Sequence, residues 1–234
     1  MIMKKMKLMT LGMCLAMIVG CGSATKNGAL IGTGGGALLG AIVGKIAGNT
    51  AVGAAVGGAV GAGAGALIGK HMDKVKAQAE AVENAQVEAV TDANGLSAVK
   101  VSFDSGILFA TSSATLQAAA KNSLLQFSNV LKANTDADVA IQGYTDNAPW
   151  RNSTPEQSVQ KNLNLSQQRA QSVSSYLLSL GVSPSQIKSV DGFGEANPVA
   201  DNSTAADKAL NRRVEVYLYA SQAMIDAANA GTLQ

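Results

Sequence analysis

The chain has few of the side chains that metal and covalent chemistry draw on. One histidine, His71, and two cysteines, Cys14 and Cys21, serve all 234 residues. A structural or catalytic zinc or iron site needs three or four such ligands at set spacings, so neither a metal nor any other cofactor is expected. No Cys–His or Ser–His pair can be assembled in the segment that reads as folded, because His71 lies ahead of it. Charge of one sign is also missing: 18 Lys and Arg meet 16 Asp and Glu, a net charge of +2. That balance leaves no electrostatic footprint for nucleic acid. Aromatic residues make up only 4%, diluted by a long segment of glycine and alanine.

What is present begins with Lys4, Lys5 and Lys7, followed by an apolar run from Leu8 to Val19. This is the layout of a secretory signal peptide, and the run falls short of the ~20 residues that span a bilayer. Ile18-Val19-Gly20 stands immediately before Cys21, an aliphatic residue and then a small one. The arrangement resembles the lipobox of bacterial lipoproteins, which implies cleavage before Cys21 and acylation of its sulfur. An ordinary signal peptide with an incidental cysteine is the plainer alternative. Under the lipobox reading, residues 1–20 are removed and 21–27 form the lipidated N-terminus. The mature chain then keeps one blocked cysteine, which excludes a disulfide despite an oxidising compartment.

Glycines then fall at 28, 32, 36, 40, 44 and 48, and again at 53, 57, 61, 65 and 69. A spacing of four aligns them on one helical face as a groove without side chains, where another helix can approach closely. The register breaks at Asn49-Thr50, a polar turn between two arms of about 20 residues, each ~30 Å long as helix. Residues 28–69 therefore read as a membrane-side helical hairpin, and the groove would also admit a second copy in a homo-oligomer. Glycine's poor helix propensity, about 1 kcal/mol per residue, keeps a flexible linker open as the alternative. The spacing resembles the glycine-zipper segments of envelope lipoproteins. Beyond Gly69, residues 70–95 read as a spacer, with a solvated alanine-rich helix from about Asp73 to Val90.

From Leu96 the pattern is that of a globular unit. "AVKVSF" alternates as a strand, and "ILFA" follows a turn at Asp104-Ser105-Gly106. Leu116, Ala119 or Ala120, Leu124, Phe127 and Leu131 share one helical face. "DVAIQGYT" is a strand. Thr154-Pro155-Glu156-Gln157 starts a helix, with Thr as cap, Pro at its first position and Gln three residues on. That helix carries Val159, Leu163, Ala170, Val173 and Leu177 and stops at Gly181, before the strands "IKSVDGFG" and "RRVEVYLYA". The order βαβαββ predicts an α+β fold, a mixed sheet with helices on one face. Residues 221–234 read as a tail without functional signal.

Four stretches in this unit carry a more specific likeness: "GYTDN" (143–147), "NLNLSQQRAQSV" (162–173), "GFGEANPVADNST" (192–204) and "NRRVEV" (211–216). In this order they resemble the OmpA-like C-terminal domain, which also occurs in peptidoglycan-associated lipoproteins, over residues 96–220. The resemblance implies non-covalent binding of the peptidoglycan stem peptide through its diaminopimelate residue. It implies that Asp146 receives the ligand's ammonium and Arg169 a carboxylate, with Thr145, Asn162 and Arg212 as supporting contacts. With the lipobox and glycine zipper ahead, it implies an outer-membrane lipoprotein whose C-terminal domain lies in the periplasm.

The residue chemistry is consistent with that. Diaminopimelate carries an ammonium and a carboxylate on one carbon, so it asks for one anion and one planar cationic fork. Asn162 and Arg169 are seven residues apart and share a helix face. The residues alone leave open that Asp146 and Arg169 pair with each other and merely pin a loop to a helix. The connection "NAPWRNSTPEQSVQ" is longer than the family's usual one and holds the sole tryptophan, Trp150, and Arg151. Trp150 either anchors the loop or stacks on a sugar of the glycan. A tether between outer membrane and wall is the leading function. An envelope assembly or stress factor acting through zipper oligomerisation is the alternative. A wall-cleaving enzyme is disfavoured, since Glu195 and Asp191 stand isolated from any second catalytic group.

Overall fold

The computed structural model describes Val60 and residues 62–92 and 95–233. The signal peptide, Cys21 and nearly all of the glycine hairpin lie outside the described residues. The elements are α1 (Ala62–Glu80), β1 (Ala85–Thr91), β2 (Ser97–Asp104), α2 (Ser105–Leu108), α3 (Ala118–Ala133) and β3 (Ala137–Gly143). They continue with α4 (Pro155–Ser179), β4 (Ile187–Gly192), α5 (Ala205–Asn211), β5 (Arg213–Ala220) and α6 (Gln222–Asn229).

One mixed five-stranded sheet runs in the order β1-β2-β5-β3-β4. Only β3 and β4 pair in parallel; the other neighbours are antiparallel. Register sorts the two faces, because residues opposite one another in a sheet point to the same side. Val101, Val216 and Ile141 form one rung, Val99, Leu218 and Val139 the next, and Phe103 faces Val214. All eight are buried in one core with Leu124, Phe127 and Leu131 of α3 and Val173 and Leu177 of α4. Helices thus cover this face, and the expected α+β architecture is what is found.

The opposite rungs bring Ser102, Glu215 and Gln142 together, with Lys100, Tyr217 and Ala140 beside them. This second face is closed by a polar and aromatic network instead of helices. Arg213 Nε donates to Glu215 Oε1 at 2.7 Å, and Tyr217 Oη donates to Glu215 Oε2 at 2.7 Å. The Arg213 guanidinium lies 3.9 Å from the Tyr144 ring centroid, and Tyr144 stacks on Phe193 at 5.4 Å.

Three sequence expectations need correction. The spacer is not a solvated helix over 73–90: its helix is α1, Ala62–Glu80, and residues 85–91 are strand β1. Ala64, Ile68, Met72, Val75 and Ala79 of α1 are buried in the domain core, so the last turns of the second glycine arm belong to this packed helix. Alanine and glutamate favour helix over 85–91, but β2 has an open edge there, and pairing on it outweighs a weak local preference. The tail is likewise structural. Ser221 caps α6, whose Met224, Ile225 and Ala228 are buried and which packs against α1. Finally, "ILFA" does not start as strand, because the Asp104 side chain caps the short helix α2.

Candidate functional site

The site grows from the C-terminal ends of β3 and β4, where α4 lies directly on the backbone. A Cβ on Gly143 or Gly192 would overlap the main chain of Ser166 or Gln167, so only glycine permits this approach. Past Gly143 the chain turns into a loop fixed on both sides. Tyr144 N donates to Arg213 O at 2.9 Å, and Thr145 N donates to Gly194 O at 2.8 Å. Asp146 follows, buried, with Oδ1 accepting from Ala148 N at 3.1 Å.

Helix α4 begins with the expected capping box between Thr154 and Gln157, with Pro155 in its first turn. Its first half corrects the expected apolar face: Val159 and Leu163 are 47% and 38% exposed. Ser158, Asn162, Ser166 and Arg169 are buried instead, at helical spacing. Asn162 and Arg169 face the cavity, Ser158 and Ser166 accept from Trp150 N and Gly194 N, and the face turns apolar only at Ala170, Val173 and Leu177.

Arg212 comes from the end of α5. Thr204 and Asp207 form a capping box at that helix's start. The buried Asn211 ties its end to the preceding loop, accepting from Val199 N at 2.7 Å and donating to Ala200 O at 2.9 Å. Arg212 Nη1 then donates to Asp146 Oδ2 at 2.6 Å.

Thr145, Asp146, Asn162, Arg169 and Arg212 all line one cavity of roughly 780 Å³. The mutual Asp146–Arg169 pair is not formed, since Asp146 takes Arg212. Arg169 is 3% exposed; its Nε donates to Ser113 O at 2.9 Å and its Nη2 to Ala110 O at 3.4 Å. The guanidinium also sits 5.2 Å from the Phe109 ring centroid. Burial, and next the nearby Arg212 charge, push its pKa down to about 10, while Asp146 opposes the shift. Arg169 therefore remains a cation at neutral pH, but a poorly solvated one that pairs with no carboxylate among the described residues.

Asn162 is committed to the loop. Its Oδ1 accepts from Trp150 Nε1 at 2.7 Å, and its Nδ2 reaches Ala148 O at 3.3 Å and Glu195 Oε2 at 3.4 Å. Trp150 N donates to Ser158 Oγ at 3.0 Å. Trp150 thus anchors the long connection while also lining the cavity. The facing wall, Ser105, Gly106, Phe109–Ser112 and Gln117, was not foreseen. The turn residues Asp104-Ser105-Gly106 at the end of β2 were its only sequence signal. Two hydroxyls on this cavity, Ser105 Oγ and Thr145 Oγ1, are buried without a hydrogen-bond partner. Buried polar atoms are rarely left so, and a polar ligand would satisfy them.

The stretch that builds most of this cavity, residues 108–212, matches the OmpA family. Residues 3–73 match the YMGG-like Gly-zipper family. Among curated relatives, the "Probable lipoprotein YiaD" of Escherichia coli K12 is 45% identical over 112 residues, 48% of this chain and 47% of that protein. The "Peptidoglycan-binding protein ArfA" of Mycobacterium tuberculosis H37Rv is 41% identical over 110 residues, 47% of this chain and 31% of that protein. The chain thus spans about half or less of these relatives. Among solved structures, the cell wall anchor of the type VI secretion system from Pseudomonas aeruginosa superposes with a TM-score of 0.51 at 27% identity. That match covers 64% of this chain and 97% of the other.

Proposed function

We propose that the protein binds peptidoglycan non-covalently through the diaminopimelate of the stem peptide and tethers the outer membrane to the wall. The observation that carries this reading is a cavity lined by Asp146 and by Arg169, a buried guanidinium without a carboxylate partner. An ammonium and a carboxylate on one carbon would satisfy both at once: Asp146 accepts the ammonium beside Arg212, and Arg169 takes the carboxylate. The orphaned hydroxyls of Ser105 and Thr145 would complete the polar contacts. A peptidoglycan-binding relative and a structural neighbour that anchors to a cell wall support the same ligand class. The membrane end of the tether is the acylated Cys21 with the glycine-zipper segment behind it, which places the C-terminal domain in the periplasm. The cavity needs no catalytic group for this task, and the protein acts as a binder and not as an enzyme.

The test is titration of the full-length protein in detergent with intact sacculi and with soluble stem peptides. Diaminopimelate-type peptides should bind clearly more tightly than lysine-type ones, which lack the distal carboxylate and leave Arg169 uncompensated. Equal affinity for both, or no retention on sacculi, overturns the proposal.

A further inference from the structure

The cavity holds more positive charge than one diaminopimelate carbon can use. Its lining residues include a single carboxylate, Asp146, and three guanidiniums, Arg151, Arg169 and Arg212. Arg212 is taken by Asp146 at 2.6 Å. Glu195 reaches Asn162 at 3.4 Å and does not line the cavity. An ammonium and a carboxylate carry no net charge, so they settle on Asp146 and Arg169 and leave Arg151 over. Among the described residues Arg151 has no ion-pair partner.

The backbone that carries Arg151 is not a loose loop. Trp150, just before it, is fixed through its main-chain N to Ser158 Oγ and through Nε1 to Asn162 Oδ1. Lys161 covers the Trp150 ring at 5.7 Å from its centroid and donates to Ser153 Oγ at 2.8 Å on the far side of the turn. Asn152 follows with φ 55, the left-handed geometry that asparagine tolerates and that closes a tight turn. Arg151 therefore stands at the apex of a pinned turn, on the rim of the same cavity.

We propose that Arg151 receives a second carboxylate of the same stem peptide, making the site selective for stems whose acids are free over stems that carry an amide. This rests on the wall-binding reading. The stem offers two such groups besides that of the diaminopimelate carbon: the α-carboxylate of the γ-linked glutamate before it and the carboxylate at the peptide's end. A guanidinium fork discriminates between carboxylate and carboxamide because the amide lacks charge and offers one acceptor oxygen in place of two.

The experiment titrates the full-length protein and its Arg151→Gln variant with three synthetic diaminopimelate stem peptides. One has all carboxylates free, one is amidated at the glutamate α-position, and one is amidated at the C-terminus. The wild type should bind one amidated peptide about threefold to tenfold more weakly than the free one at low salt, less at high salt. That peptide identifies which carboxylate is read. Arg151→Gln should bind it and the free peptide alike, at the reduced affinity. Arg151 is exposed, so the variant's fold is not at stake. If neither amidation matters to the wild type, or if Arg151→Gln weakens all three peptides by one factor, the second contact is overturned while wall binding stands. If no peptide binds at all, the wall-binding reading falls, and this contact with it.

Discussion

Asp146 and Arg169 carry opposite charges into one cavity yet keep separate partners, and that separation sets what substitution does. Asp146→Ala and Arg169→Ala should each cost stem-peptide binding a few kcal/mol, about what truncating one side of a desolvated charge pair costs. Arg169→Lys should recover only part of it, restoring charge without the fork. Melting curves of the three variants should stay near wild type, because neither residue is in the apolar core; variants that melt early but still bind would show a purely structural role. The phenols make a second prediction. Burial raises the pKa of Tyr144, Tyr217 and Tyr219, with Glu215 adding to the first two and Asp138 to the third. A raised acid pKa gives stability that is complete below the ordinary value near 10 and is lost above it. Arg169, with its lowered pKa, works in the opposite direction over the same range, but one group faces three. The urea midpoint should therefore fall between pH 9 and pH 11, and Tyr217→Phe should flatten that fall. The charged members of the site were legible from their motifs. Ser105 and the wall around Phe109 were not, because a hydroxyl's worth depends on what is absent around it, and a linear pattern does not carry that.

At the scale of elements, the helices and strands with a strong period were readable and those decided by partners were not. Strands β2, β3, β4 and β5 and the Thr154 cap follow from alternation and capping rules. β1 does not, since its helix-prone residues become strand only because β2 offers an edge. The core stripe of α1, Ala64-Ile68-Met72-Val75-Ala79, was present in the sequence at helical spacing but was hidden among glycines and alanines. The polar inward face of early α4 reversed the apolar rule because it packs on the Trp150 loop, the Gly194 backbone and the cavity. Since Ile68 and Met72 are fully buried, Ile68→Ala and Met72→Ala should each lower stability by about 2–5 kcal/mol in chemical denaturation of the domain. A solvated spacer would tolerate both changes within ~0.5 kcal/mol.

At the scale of the whole molecule, the tether we propose depends on its membrane end. Cys21→Ser should abolish palmitate incorporation and release a form that still binds sacculi, since the site lies far along the chain. Labelling that persists in the variant would remove the lipid anchor from the scheme.

The sheet order also decides when the domain can be finished. β5 is the last strand in sequence but the central one in space, with β2 on one side and β3 on the other. Until it arrives, the β1–β2 pair and the β3–β4 pair are two half-sheets with open edges, joined by no strand pairing. α6, which seals α1, comes later still. A chain still emerging from the ribosome therefore cannot complete the sheet, whatever its earlier segments have formed. The closing step waits for β5 and α6, so a chain cut before β5 has no folded cavity to offer.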